Sequence, residues 1–248
     1  MRLNRFLASA GLGSRRSCED LITSGLVSIN GRVVTGLATQ VNSGDSVKVR
    51  GRVVCPAESL TVLLNKPKGY VVTRADELER RTIYDLVPSE FSRLSHVGRL
   101  DKDSEGLLLL TNDGELSQRL AHPRHTVDKE YEVLLDKPFD PAHIARLERG
   151  FHIEGGRGRF ERVAILSPSA IRVVLRQGLK RQIRLMLYET GYEVKRLKRV
   201  RIGPLNDHRL PVGACRLLTR KELDLLRRAA TPDVTARRSA PAREPAGR

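Results

Sequence analysis

Residues 98–114 constrain this chain more than any other stretch, because a loop crowded with charge runs straight into the most apolar run in the sequence. Four consecutive leucines, Leu107 to Leu110, lie between Gly106 and the turn signal Asn112-Asp113-Gly114. That run is too short for a long helix and predicts a strand buried on both faces. The loop ahead of it carries Arg99, Asp101, Lys102, Asp103 and Glu105. Acids and bases on a loop held by a fixed strand are where binding and catalytic groups tend to lie. Polar turns also precede buried strands in proteins with no chemistry at that place, so the pattern nominates Asp101 without assigning it a role.

A chain of 248 residues can bury a sizeable core and is expected to form a large domain with a small companion. Its 45 Lys and Arg against 29 Asp and Glu give a net charge of +16, which points to a polyanionic partner. Nucleic acid is the first candidate and an anionic membrane the second. No apolar run approaches the roughly 20 residues that span a bilayer, and no signal-peptide core follows Met1, so a soluble, cytoplasmic protein is expected. Cys18, Cys55 and Cys215 lie far apart, which suits a reducing compartment. Among the histidines only His122 and His125 are near each other, without further ligands at zinc-site spacing, so no metal is expected. Gly155, Gly156 and Gly158 match neither a phosphate loop nor a dinucleotide fingerprint, so no cofactor is expected either.

At the N-terminus, Leu3, Phe6, Leu7 and Ala10 fall at helical spacing before Gly11. Ser14 can cap a second helix with Cys18, Leu21 and Ile22 on its apolar side and Gly25 as its stop. Val27-Ser28-Ile29 and Arg32-Val33-Val34 flank Asn30-Gly31, the strongest short hairpin signal, and residues 44–49 supply another strand. This unit is expected to close near residue 50. It holds seven cations against three acids, and Arg2, Arg5, Arg15 and Arg16 on or beside the helices are candidates for tracking a phosphate backbone.

Residues 51–59 read as a linker and 60–230 as the main domain. Extended runs over 60–64 and 70–73 flank Asn65-Lys66-Pro67-Lys68-Gly69, a basic turn that either holds a phosphate or is a solvated hairpin end. A short helix over 82–87 and a strand over 94–97 should deliver the loop that bears Asp101. Beyond the leucines come a helix over 115–121, an alternating strand over 129–135, and a helix over 141–149 stopped by Gly150. Tyr131 shares one face of that strand with Val133 and Leu135 and points inward. Charge then concentrates: residues 171–201 hold ten cations and two acids, an expected anion-binding surface that includes Lys180 and Arg181. Within it a helix over 181–190 carries Ile183, Met186 and Leu187 on its apolar face, with Arg184 beside them. A partly buried guanidinium normally pairs with a carboxylate, and Asp101 is the partner expected for Arg184. Thr219 and Glu222 form a capping box for a last helix, and the Ala-, Pro- and Arg-rich residues 231–248 are expected to be disordered.

Two ordered sets of motifs carry a resemblance. Arg2-Leu3 through Ala10-Gly11, Ser14-Arg15-Arg16, Gly25-Leu26-Val27, Ile29-Asn30-Gly31 and Gly44-Asp45 resemble the alpha-L (S4-like) RNA-binding module first named from a small-subunit ribosomal protein. Gly98-Arg99-Leu100-Asp101 with the leucine strand, the turn at 65–69, Lys129-Glu130-Tyr131 and Arg181-Gln182-Ile183-Arg184 resemble the RsuA/RluB group of RNA pseudouridine synthases. The resemblance runs over residues 1–228. It implies an α+β chain, with a small α/β S4-like domain at 1–50 and a catalytic domain whose mixed, mainly antiparallel sheet is flanked by helices. It implies that Asp101 is the indispensable catalytic carboxylate and that Tyr131 and Arg184 are the active-site tyrosine and arginine. It also implies that Arg99 helps fill the gap left by a flipped nucleotide. Lys66, Lys68, Lys180 and Arg181 join the module's arginines as expected RNA contacts.

Making pseudouridine breaks the glycosidic bond, turns the uracil and rejoins it to the ribose through carbon. Nothing is oxidised and no energy donor is needed, in keeping with the missing cofactor motifs. The target must first leave its stack, at a cost on the order of a few kcal/mol. Asp101 either attacks the ribose or removes its proton, and the sequence leaves both open. The implied partner is ribosomal RNA or a pre-ribosomal particle, large-subunit RNA being favoured over small-subunit RNA, and a monomer is expected. A noncatalytic ribosome-assembly factor is the rival. The chain departs from many relatives at Arg184-Leu185, where they carry two arginines, and at Gln177-Gly178, where an acid precedes the glycine; both bear on RNA choice. An aromatic content of 4% with no tryptophan argues against a base-stacking platform, so shape and phosphate contacts should dominate.

Overall fold

The computed structural model describes residues 1–121 and 127–231. His122, His125 and residues 232–248 of the tail expected to be disordered lie outside the described residues. Helices α1 (Leu3–Ser9) and α2 (Arg15–Thr23) cover an antiparallel sheet ordered β2-β1-β3-β4, made of β1 (Val27–Ile29), β2 (Arg32–Val33), β3 (Val47–Val49) and β4 (Arg52–Val53). Leu3, Leu7, Cys18 and Ile22 from the helices meet Val27, Val47 and Val49 from the sheet in one small core. Ser14 caps α2 by accepting from the Ser17 amide, as its position predicts.

Strand β4 corrects the expected boundary near residue 50. Arg52 and Val53 pair with Val49 and Lys48, and the Val54 amide donates to the Val47 carbonyl at 2.9 Å, so the linker begins after Val54. Arg50 (φ 50°) and Gly51 (φ 77°) adopt the same left-handed pair as Asn30 (φ 51°) and Gly31 (φ 82°). Both hairpins therefore turn in the sense that matches strand twist, but Arg-Gly lacks the compositional signature of Asn-Gly.

The second unit contains β5 (Thr61–Lys66), β6 (Ser95–Val97), β7 (Glu105–Thr111), α3 (Gly114–Ala121), β8 (Lys129–Leu135), α4 (Ile144–Arg149), β9 (Phe151–Ile153), β10 (Gly156–Gly158), β11 (Arg162–Ser167), β12 (Ala170–Leu175), α5 (Gln182–Tyr188), β13 (Val194–Ile202), β14 (Leu205–Asn206), β15 (Cys215–Leu217) and α6 (Arg220–Ala229). Its large sheet is ordered β11-β12-β8-β13-β7-β5-β15, with β6 beside β7 and β14 beside β13. Strands β7 and β13 run parallel and the other pairs are antiparallel, the mixed α+β arrangement expected. Among the described residues no helix is long and apolar enough to cross a membrane.

The leucine strand is buried on both faces, as predicted. Leu108 and Leu110 join Val62, Leu64 and Val133 in the main core, whereas Leu107 and Leu109 pack on the other side with Leu63, Ile202 and Leu226. Each such side chain contributes about 1.5–3 kcal/mol when fully buried, so β7 is a stiff support for the loop that precedes it. The expected strand over 70–73 does not form. The Gly69 amide donates to the Lys102 carbonyl at 2.7 Å and draws the chain off the sheet, leaving Val71 a single parallel bridge to Thr82. The helix expected over 82–87 is one 3-10 turn, Ile83–Asp85, closed by a capping box of Thr82 and Asp85.

Candidate active site

One register row crosses four strands beneath the charged loop. Lys66 on β5 lies opposite Gly106 on β7, Gly106 opposite Arg199 on β13, and Arg199 opposite Tyr131 on β8. Glycine is required in this row: Gly106 has φ +105°, and a Cβ there would stand 2.2 Å from the Arg199 carbonyl oxygen. With no side chain in the way, β13 closes against β7, and two cationic side chains enter the row from either side of the glycine.

Lys66 was expected to contact RNA, and its position corrects that. Its side chain is completely buried, and Nζ donates to the carbonyls of Ser104 at 2.7 Å, Pro67 at 3.0 Å and Asp101 at 3.2 Å. The amine ties the sheet to the loop, so it has no free face for a phosphate. Burial pushes its pKa down to about 8, against the pull of the Asp103, Asp101 and Glu105 carboxylates. Lys68, two residues on, is exposed and lines the cleft that holds Asp101.

The Asp101 carboxylate is 37% exposed and faces that cleft together with Gly69, Lys102 and Arg181. Its nearest ionic partner is Arg181, whose Nη1 lies 3.7 Å from Oδ2. The expected pairing with Arg184 is not formed. Arg184 instead places Nη2 at 3.2 Å from Asp103 Oδ2, donates to the Asp103 carbonyl at 3.1 Å, and donates from Nη1 to the Val194 carbonyl at 2.9 Å. The loop turns between these acids, with the Ser104 amide bonded to the Asp101 carbonyl at 3.1 Å, so Asp103 meets α5 while Asp101 is left toward the cleft. Arg181, in the left-handed conformation (φ 53°) before α5, spans both acids and lies 3.3 Å from Asp103. Burial pushes the Asp103 carboxyl up, and the Arg184 and Arg181 guanidinium groups more than offset it, holding it below the usual carboxylate range. Asp103 and Glu105, for which sequence patterning predicts no role, are thus tethers: Glu105 is paired with Arg196 at 2.8 Å.

Tyr131 is buried in the main core, as its strand alternation predicts, and does not line the Asp101 cleft. The guanidinium carbon of Arg199 lies 6.0 Å from the centre of its ring. Arg199 is 3% exposed, bonds the Leu107 carbonyl through Nε at 2.6 Å, and has Nη2 without a hydrogen-bond partner among the described residues. Sequence reasoning counted this arginine only as one more charge. Its strand, Val194–Ile202, also carries Lys195, Arg196, Lys198 and Arg201, so no local signal singles it out.

The basic stretch over 171–201 is largely neutralised within the fold. Arg172, Arg176, Arg181, Arg184, Lys195, Arg196 and Arg201 all pair with carboxylates, leaving Lys180 and Lys198 as its accessible cations without an ion pair among the described residues. In the first unit Arg5 is paired with Glu115 at 3.3 Å, whereas Arg2, Arg15 and Arg16 are exposed, as is Arg99 on the loop.

The chain thus joins a small helix-covered sheet to a larger mixed sheet that presents Asp101 in an open cleft. Comparison with known proteins makes this specific. The RNA pseudouridylate synthase family matches residues 60–189, and the S4 domain matches residues 1–47. The chain is 39% identical over 233 residues to the ribosomal large subunit pseudouridine synthase B of Bacillus subtilis (strain 168), covering 91% of this chain and 95% of that one. It is 40% identical over 226 residues to the dual-specificity RNA pseudouridine synthase RluF of Escherichia coli (strain K12), covering 90% and 77%. A crystal structure of a pseudouridylate synthase superposes with a TM-score of 0.67 at 29% identity, covering 91% of this chain and 99% of that one. The chain belongs to the RNA pseudouridylate synthase family, and its reaction class is isomerisation.

Proposed function

We propose that this chain converts a uridine of large-subunit ribosomal RNA to pseudouridine, with Asp101 as the catalytic carboxylate. The observation that carries the proposal is the setting of Asp101: a half-exposed acid at an open cleft, on a loop whose carbonyls are held from below by Lys66. Preference for the large-subunit RNA rests on the similarity to the Bacillus subtilis enzyme, whose name states that substrate.

In this reading Arg181 aims the Asp101 carboxylate at the ribose, and Arg184 acts through Asp103 by fixing the loop to α5. Tyr131 supports the site from within the sheet, its buried ring beside the Arg199 guanidinium. Exposed Arg99 fills the stack that the target uridine vacates. Arg2, Arg15, Arg16, Lys68 and Lys180 take phosphates. Residues 1–54 form the RNA-binding domain and 60–230 the catalytic domain, and the protein works as a cytoplasmic monomer on ribosomal RNA or a pre-ribosomal particle. Mapping pseudouridines in ribosomal RNA from cells with and without the gene tests this. One large-subunit position should lose its pseudouridine, and an unchanged map would overturn the assignment.

A further inference from the structure

The Asp101 cleft does not end at Asp101. It shares Lys68, Asp103 and Arg181 with a second cleft that continues along α5 past Arg184 and Leu185 to Tyr188 and Tyr192. Helical geometry builds that wall: positions 184, 185 and 188 recur at the three- and four-residue spacing of one helix face, and Arg181 joins them from the left-handed residue that precedes α5. The opposite side of α5 carries buried Ile183, Met186 and Leu187. Tyr188 is 73% exposed and is the one exposed ring among the Phe and Tyr side chains of the described residues. Tyr192, by contrast, is buried, with its hydroxyl accepting from the Asp140 amide at 2.9 Å. A lone exposed aromatic is common on protein surfaces. This one stands at the end of a cleft, lined by both cations and acids, that leads from the proposed catalytic acid.

We propose that Tyr188 is a stacking site for an unpaired base of the RNA substrate close in sequence to the target uridine, with exposed Lys68 on the path of the intervening phosphates. The proposal rests on the reading of the chain as acting on ribosomal RNA. It also amends the expectation of purely shape and phosphate recognition: a chain this poor in aromatics still places one ring where an extruded strand would pass. Every base has a face that a ring can stack on, so Tyr188 contributes affinity without reading sequence by hydrogen bonds.

The chain contains no tryptophan, so Tyr188→Trp introduces a single fluorescent reporter at the site. The probe is an unmodified transcript of large-subunit ribosomal RNA, with Kd read by filter retention and pseudouridine formation read separately. Tyr188→Trp should bind at least as well as the wild type, with its emission quenched on saturation by the transcript. Tyr188→Ala should raise Kd about tenfold, the size of one lost base–ring stack. Unquenched emission together with wild-type affinity in Tyr188→Ala would overturn the proposal. Because Kd is read independently of turnover, a wild-type protein that binds and quenches but forms no pseudouridine defeats the functional reading and leaves the stacking site standing.

Discussion

The Lys66 ammonium donates to the Ser104 carbonyl at 2.7 Å and to the Asp101 carbonyl at 3.2 Å, so one buried amine in the sheet holds both ends of the turn that presents Asp101. Lys66→Met removes the donors, which strips the Ser104 carbonyl of this bond and leaves the Asp101 carbonyl only the Ser104 amide, at about 1–3 kcal/mol for each buried group left unsatisfied. Urea unfolding should show a loss of about 2–4 kcal/mol. Because the turn is loosened rather than the RNA surface altered, kcat should fall more than RNA affinity does. An unchanged kcat would mean that another contact positions the loop.

The same amine gives stability a definite pH dependence. Its folded pKa is about 8 against an ordinary 10.5. Between those values the unfolded chain binds the extra proton, so Lys66 makes stability rise with pH there and contributes no slope below 8. Lys66→Met lacks this rise, so the stability gap between wild type and variant should widen from pH 8 to pH 10.5. Urea titrations of both proteins at the two pH values check it, and a constant gap contradicts it.

Gly106→Ala tests the register row. The added Cβ would meet Arg199 backbone at 2.2 Å, and φ +105° is strained for any side chain. Since backbone rather than a flexible side chain must yield, the cost should be at least about 3 kcal/mol. A thermal melt close to that of the wild type would show that β7 and β13 can separate without loss.

Arg184 should be energetically coupled to Asp103 and not to Asp101. In double-mutant cycles on stability, Arg184→Ala with Asp103→Asn should show an interaction of about 1 kcal/mol. Arg184→Ala with Asp101→Asn should be additive within about 0.5 kcal/mol. The reverse pattern would restore the direct Asp101 pairing.

What could be read in the sequence was what local patterning determines. The leucine run, the alternation that turns Tyr131 inward, the Ser14 cap and the Thr219–Glu222 box all depend on residues a few positions apart, and each forms as expected. The site was legible as a loop and a set of residue types, but its pairings were not. Asp101 and Asp103 are indistinguishable as partners for Arg184 until the turn at Ser104 sends them different ways. Lys66 sits between Asn65 and Pro67 and looks like a solvated turn, because the carbonyls that bury it arrive from 35 to 38 residues downstream. The apparent anionic-ligand surface over 171–201 arose from summing charge along the chain, while carboxylates at 105, 128, 130 and 132 meet those cations across strands.

Asp101 is half-exposed, and its side chain makes no hydrogen bond that the fold needs among the described residues. Asp101→Asn should therefore fold like the wild type, bind the large-subunit transcript with an unchanged Kd, and form no pseudouridine. Pseudouridine formation by the purified Asp101→Asn protein at the wild-type position would contradict the assignment of the catalytic carboxylate.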